Sequence, residues 1–267
     1  MGMSPIELNE AASASLSLLA ILVASLFDLK YREVPDRVWA LYAPPAIALT
    51  AIRLSGFGIA LWPSIASIAL TSALSLGLYR LGAFGGADAK AFICLALSMP
   101  LNPSILPSGG NFFHPFFPLT VLCNSYILSS SSIAYMAARN LAWALRNPGK
   151  GAFEGFEGEP AWRKAAAVLT GYKMRLGELA NKGAFYYPME EAILDGGIRR
   201  RLRISLSAKE EPGDYFKRLA ELLGESEEVW ATPGLPLLAF VALGLLAALF
   251  HGDISHGVIT AILRALL

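Results

Sequence analysis

The sequence predicts an all-α membrane protein, a bundle of about six transmembrane helices with a small cytoplasmic domain inserted before the last helix. Apolar residues make up 55% of the 267 residues and charged residues only 16%, which is too apolar for an ordinary soluble protein of this length. The charged residues are also segregated, because residues 12–145 hold few of them and residues 147–231 hold most. This split predicts a membrane bundle interrupted by one polar domain.

Six apolar segments are candidate spans, since about 20 residues cross the hydrocarbon core. They cover residues 12–27, 38–52, 59–79, 89–100, 116–138 and 235–250. A last apolar piece, 258–267, is too short to span and is expected at the membrane interface. The acidic residues Glu7 and Glu10 precede the first segment and disfavour a cleaved signal peptide.

The predicted organisation has three parts. Residues 1–146 form a membrane domain with five helices, residues 147–231 a soluble cytoplasmic insertion, and residues 232–267 the sixth helix and a tail. The insertion shows no catalytic constellation. Its basic run suits either anionic lipid headgroups or a plain solvated face, and consists of Arg199, Arg200, Arg201 and Arg203.

Lysine and arginine counts predict the orientation in the cell membrane. Basic residues flank the first and third loops and begin the polar insertion, whereas the loops between them are poor in Lys and Arg. By the positive-inside rule these basic loops are cytoplasmic, so the N-terminus is expected outside. Two aspartates, Asp28 and Asp88, then both lie at the cytoplasmic edge of a multi-pass protein.

Asp28 ends the first apolar segment and Asp88 opens the fourth. A carboxylate at the edge of a bilayer is costly to keep, so a pair on one face indicates acid/base chemistry. Taken singly, each has another interpretation. Asp28 suits an interfacial anchor, and Asp88 suits the cap of a helix, where an acidic first turn is favourable.

The residues around the two aspartates suit close approach to a substrate. Pro35 ends helical continuation after Asp28. Gly85 and Gly86 permit tight backbone approach, and Ala87 keeps the position before Asp88 small. Lys90 either biases the aspartate pair toward ionisation or extends toward phosphate headgroups.

Together these motifs resemble the archaeal prepilin and preflagellin peptidases, class III signal peptidases among the GxGD-type intramembrane aspartyl proteases. Gly85-x-x-Asp88 carries one part of the resemblance, and the turn with Pro233 and Pro236 before the last span a weaker one. In the first loop, Asp36 stands where the family often has Asn, which adds a third carboxylate. The matching first-loop residues are Asp28, Lys30, Arg32, Val34 and Pro35.

The resemblance implies an aspartic endopeptidase that removes the short basic leader from type IV prepilin-like or preflagellin precursors. Asp28 and Asp88 would form its catalytic dyad, with no metal and no cofactor. The implied partners are these precursors and membrane lipids, and not nucleic acid. Glu33 and Asp36 either attract the basic leader or pair with neighbouring basic residues.

Bacterial relatives carry a cysteine-rich region and methylate the new N-terminus. This chain has only Cys94 and Cys123, both expected to be buried hydrophobic residues, so it resembles the archaeal, protease-only branch. Two other classes of function stay open. One is a transporter that uses carboxylates as proton or cation sites, and the other is a non-catalytic pilus or archaellum assembly protein.

Overall fold

Long apolar helices come first along the chain, and a mixed segment of short helices and strands precedes the last two helices. The computed structural model describes residues 2–56, 61–105, 112–182, 185–194, 198–203 and 212–266. The elements, in chain order, are α1 (Pro5–Tyr31), α2 (Asp36–Gly56), α3 (Leu61–Arg80), α4 (Gly86–Ser98), α5 (Phe117–Ser129), α6 (Ser131–Arg146), α7 (Ala161–Thr170), β1 (Tyr172–Arg175), α8 (Leu176–Asn181), β2 (Tyr186–Pro188), β3 (Glu190–Leu194), β4 (Ile198–Leu202), α9 (Pro212–Leu223), β5 (Glu228–Pro233), α10 (Leu237–Phe250) and α11 (Ile254–Leu266).

The chain divides into two units. The first, called the membrane unit here, comprises Met1–Ser129 and Pro236–Leu267, and the second, the inserted unit, comprises Ser130–Leu235. Both boundaries differ from the predicted 146/147 and 231/232. The inserted unit starts before the predicted residue 147 because Met136 of α6 is buried in a core of this unit with Tyr172 and Phe216.

Within the described residues, three helices are long and apolar enough to cross a membrane, namely α1, α2 and α3. Helices α4, α5 and α10 have 13, 13 and 14 residues. At 1.5 Å per residue each is about 20 Å long, shorter than the roughly 30 Å hydrocarbon core. The expectation of a mostly helical membrane protein is therefore confirmed, whereas the count of six spans is not.

Helix α4 is the most enclosed helix of the membrane unit, and Phe92, Cys94 and Leu95 are among its buried residues. Helix α3 contacts α4, and the buried face of α3 consists of small hydroxyl residues. Small residues let helix backbones approach closely inside a membrane. The buried positions on α3 are Ser64, Ser67, Thr71 and Ser75.

Hydroxyl hydrogen bonds join α1, α2 and α4 through the core. The Ser17 hydroxyl donates to Ser98 Oγ at 2.9 Å and receives the Tyr42 hydroxyl at 2.8 Å. The guanidinium of Arg53 donates to the Ser98 carbonyl at 2.6 Å. Because unpaired polar groups are expensive in a low-dielectric interior, these bonds restrain the three helices relative to one another.

The inserted unit contains antiparallel β-structure, so the all-α prediction is wrong for this part of the chain. Strand β5 lies between β1 and β2 in a three-stranded sheet, and β3 pairs with β4 in a separate hairpin. Strand β5 has three consecutive buried residues, Val229, Trp230 and Ala231. A central strand covered on both faces lacks the polar alternation that marks a strand in sequence.

A buried ion pair connects the β3–β4 hairpin to β5. Arg200 contacts the Glu190 carboxylate at 2.7 Å, and the other Glu190 oxygen accepts the Trp230 backbone N–H at 2.6 Å. Burial raises the pKa of the Glu190 carboxyl, and the Arg200 guanidinium opposes that shift. Arg199, the neighbour of Arg200 on β4, is exposed. Within the basic run, Arg200 thus has a structural role.

Arg200→Ala should destabilise the inserted unit by about 3 kcal/mol, because it leaves the Glu190 carboxyl buried without its cation. Arg199→Ala removes the same charge from an exposed position and should behave as the wild type. Limited proteolysis of the intact protein in detergent, scored for cuts within residues 130–235, measures the difference. Equal cutting rates for the two variants would contradict this role.

Candidate active site

Asp28 lies in the last turn of α1, where the chain reverses. The helix ends at Arg32, whose backbone is left-handed with φ 57° and ψ 17°, and whose N–H donates to the Asp28 carbonyl at 3.0 Å. For a residue with a side chain this conformation costs roughly 1–2 kcal/mol. The Arg32 guanidinium also interacts electrostatically with the half-buried Asp28 carboxylate.

The beginning of α10 lies against the same part of α1. The Ser25 hydroxyl donates to the Leu238 carbonyl at 2.8 Å, and the Leu238 backbone N–H interacts with the Asp28 carboxylate. The N-terminus of a helix carries partial positive charge, which favours an anion there. Asp28 therefore lies beside two sources of positive potential, the α10 N-terminus and Arg32.

Asp88 lies in the first turn of α4. Its Oδ2 atom accepts the Gly85 backbone N–H at 2.9 Å, which satisfies a donor that the start of a helix leaves unpaired. The alternative interpretation of Asp88 as a helix cap is thus realised in the structure. The contact fixes the carboxyl group over the turn and uses one of its two oxygens.

The two glycines before Asp88 differ in their surroundings. A Cβ atom on Gly85 would lie 3.1 Å from Asp88 Oδ2, so a side chain there would press on the carboxylate. A Cβ atom on Gly86 would meet only the Tyr79 ring at 3.8 Å, an ordinary contact. A side chain at position 85 would therefore crowd the Asp88 carboxylate, whereas one at position 86 would not.

Asp28 and Asp88 interact electrostatically with each other. Helix α1 contacts α4, and both helices contact α10. The two carboxyl groups thus lie on separate helices that contact each other and that the Ser17–Ser98 hydrogen bond joins. A pair of like-charged carboxylates arranged in this way can hold one shared proton.

Two aromatic residues that lie near Asp88, Phe84 and Tyr126, were not among the site residues predicted from the sequence. Phe84, next to Gly85, stacks on Phe92 and on Tyr126, with ring centroids 5.5 and 6.4 Å apart. Tyr126 of α5 also interacts electrostatically with Asp88. A tyrosine inside an apolar run gives no sequence signal that it lies near Asp88. The Leu238 backbone N–H, which lies near Asp28, gives none either.

Lys90 contacts Asp36 at 2.5 Å, and both side chains are largely exposed. Lys90 was predicted either to bias the aspartate pair or to extend toward phosphate headgroups, and neither prediction includes this pair. Asp36 was predicted to attract the leader or to pair with a basic residue close in sequence, which Lys90 is not. Glu33 and Pro35 are exposed in the same loop, and the Pro35 carbonyl accepts the Val38 N–H at 3.0 Å. Exposed pairs of this kind contribute little to stability.

The two prolines of the late motif occupy different elements. Pro233 ends β5 in the inserted unit, and Pro236 directly precedes α10 in the membrane unit. Only Pro236 belongs to the unit that carries the two aspartates. Ala87 follows Gly86 in the first turn of α4 and is half-buried, and Cys94 is buried as predicted, whereas Cys123 is half-buried.

Comparisons with known proteins match most of the chain. Residues 15–134, which include both aspartates, match the type IV leader peptidase family, and residues 163–254 match the archaeal peptidase A24 C-terminus, type II. The preflagellin peptidase of Methanococcus voltae is 25% identical over 90% of this chain and 94% of its own. That of Methanocaldococcus jannaschii is 24% identical over 91% and 95%. The chain is therefore similar to the type IV leader peptidase family over residues 15–134 and to the archaeal peptidase A24 C-terminus over residues 163–254.

Proposed function

We propose that this chain is a membrane-embedded aspartic endopeptidase that removes the leader from preflagellin or type IV prepilin-like precursors. The observation that carries the proposal is the placement of Asp28 in the last turn of α1 and Asp88 in the first turn of α4, two helices that contact each other and α10. The family match supports a peptidase over a transporter or an assembly protein. The substrate class is proposed from the names of the two relatives.

The proposed mechanism needs only the two carboxyl groups and water. The ionised carboxylate takes a proton from a water molecule, and the oxygen of that water bonds to the scissile carbonyl carbon. The protonated partner donates a hydrogen bond to the carbonyl oxygen, as in a dyad that shares one proton. The carbon–nitrogen bond then breaks, and the amine of the mature protein leaves with a proton from the dyad.

Asp28 is the better candidate for the base. Arg32 and the N-terminus of α10 lie beside its carboxylate and stabilise the ionised form. The only backbone hydrogen bond that holds Asp88, among the described residues, comes from Gly85. We therefore assign the base to Asp28 and the acid to Asp88.

The proposed location is the cytoplasmic edge of the membrane. A precursor of this class has a short basic leader directly before a long apolar helix. A dyad at the membrane edge reaches that junction while the leader stays in water and the helix stays in lipid, so no charge has to enter the bilayer.

Asp28→Asn and Asp88→Asn should each lower the cleavage rate by about 10³-fold, because a positioned general acid or base contributes roughly 10²–10⁴-fold. The control is Asp214→Asn, the same chemical change at an exposed residue of α9, which should cleave at the wild-type rate. Purified protein in detergent with a leader-bearing peptide provides the assay. Near wild-type cleavage by either dyad variant would exclude the mechanism.

Gly85→Ala should lower kcat by about 10-fold or more with little change in KM, because the new methyl group presses on Asp88 Oδ2 and displaces the reacting group. Gly86→Ala adds the same methyl group against the Tyr79 ring and should retain most activity. Steady-state kinetics of the pair measure the difference. If both variants lose activity equally, the close contact at position 85 is not the cause.

Glu33 is the better candidate of the two acidic loop residues for attracting a basic leader, because Asp36 already contacts Lys90. Glu33→Lys should raise KM for a precursor with a basic leader and leave KM unchanged for a matched precursor with a neutral leader. Increasing salt should reduce the difference between the two substrates. An unchanged KM for the basic leader would remove Glu33 from recognition.

A further inference from the structure

One face of helix α6 packs against the rest of the inserted unit and is the more polar one. Met136 is buried there, and the Asn140 side chain donates to the carbonyls of Val168 and Gly171, each at 2.9 Å. Trp143 Nε1 donates to the Glu228 carboxylate at 2.9 Å. The polar groups of Asn140 and Trp143 are therefore occupied by their own unit.

The opposite face of α6 is apolar and exposed. Leu141 and Leu145 are 62% and 74% exposed, although each is a large hydrophobic side chain. Positions three and four apart share one face of a helix, so these residues form a continuous stripe. Its exposed members are Ile133, Ala134, Ala137, Ala138, Leu141, Ala144 and Leu145.

This arrangement is the reverse of a helix on a water-soluble domain, which buries its apolar face and exposes its polar one. An apolar stripe of this length needs a partner. Two features of the chain indicate which partner it is.

The first feature is continuity with the membrane unit. Helix α6 begins one residue after α5, and Ser130 between them has helical dihedrals, φ −62° and ψ −19°. The Ile133 N–H donates to the Ser130 carbonyl at 3.0 Å. The apolar stripe thus starts at the end of an apolar helix that belongs to the unit with the three candidate spans.

The second feature is charge. The sequence of α6 contains Arg139 and Arg146 and no acidic residue. Arg139 lies over the Tyr172 ring, on the side that faces its own unit, and Arg146 is exposed at the last turn. Basic residues on the face opposite an apolar stripe are typical of helices that lie in the interface of a membrane with anionic lipids.

We infer that α6 is an interfacial helix, whose stripe of Ile133, Ala134, Ala137, Ala138, Leu141, Ala144 and Leu145 contacts the acyl chains of the bilayer. The inserted unit is thereby attached to the membrane surface along α6. This attachment goes beyond the proposed peptidase activity and does not depend on it.

Photo-crosslinking tests the attachment directly. The residue p-benzoylphenylalanine replaces Leu141 or Leu145, and in the control it replaces Lys217, an exposed residue of α9. Each full-length protein is reconstituted in vesicles of phosphatidylcholine and phosphatidylglycerol, irradiated and analysed by intact mass. Lipid adducts at positions 141 and 145 should exceed those at position 217 by about tenfold or more, as expected for a helix face in the acyl region.

Two results would overturn the inference. One is crosslinking of positions 141 and 145 to peptides of the chain itself, which would mean that protein covers the stripe. The other is an adduct yield at both positions no higher than at position 217, which would mean that water covers it. Each position is scored separately with circular dichroism as a folding check, so one misfolded variant leaves the other as the test.

Discussion

The proposed site depends on one constraint: two acidic groups have to be kept near each other on helices of an apolar bundle. Like charges in a poorly solvated place repel, so the surrounding helices must hold Asp28 and Asp88 together against that repulsion. The enclosed helix α4 carries Asp88, and the Ser17–Ser98 hydrogen bond joins it to α1, which carries Asp28. The Ser25 hydroxyl of α1 donates to the Leu238 carbonyl of α10, and the N-terminus of α10 lies beside the Asp28 carboxylate.

Several residues of the candidate site are recognisable in the sequence because they interrupt apolar runs. Asp28 and Asp88 end and begin such runs, and a side chain at Gly85 would crowd the carboxylate that it precedes. Tyr126 and the Leu238 N–H could not be predicted in the same way. A tyrosine in an apolar segment reads as a lipid-facing or core residue, and a backbone N–H has no sequence signature until the helix is placed. The Lys90–Asp36 contact joins helix α4 to the start of α2, and rules for pairs close in sequence do not cover a contact between separate helices.

The fold was predictable in outline for a similar reason. Composition and charge segregation indicate membrane helices and a polar insertion, and both are present. The inserted unit begins at Ser130 rather than at the predicted residue 147, and Met136 and Asn140 of α6 pack against the rest of that unit. Strand β5 was missed because three consecutive buried residues hide the alternation of a strand.

The central claim is that Asp28 and Asp88 contact the same scissile centre. Binding of a precursor peptide in which a hydroxyethylene group replaces the scissile bond tests this claim without relying on turnover. Wild type and Asp214→Asn should bind the isostere tightly, and Asp28→Asn and Asp88→Asn should each lose about 10²-fold in affinity, since a transition-state mimic binds through both carboxyl groups. Wild-type affinity in either dyad variant would contradict the account.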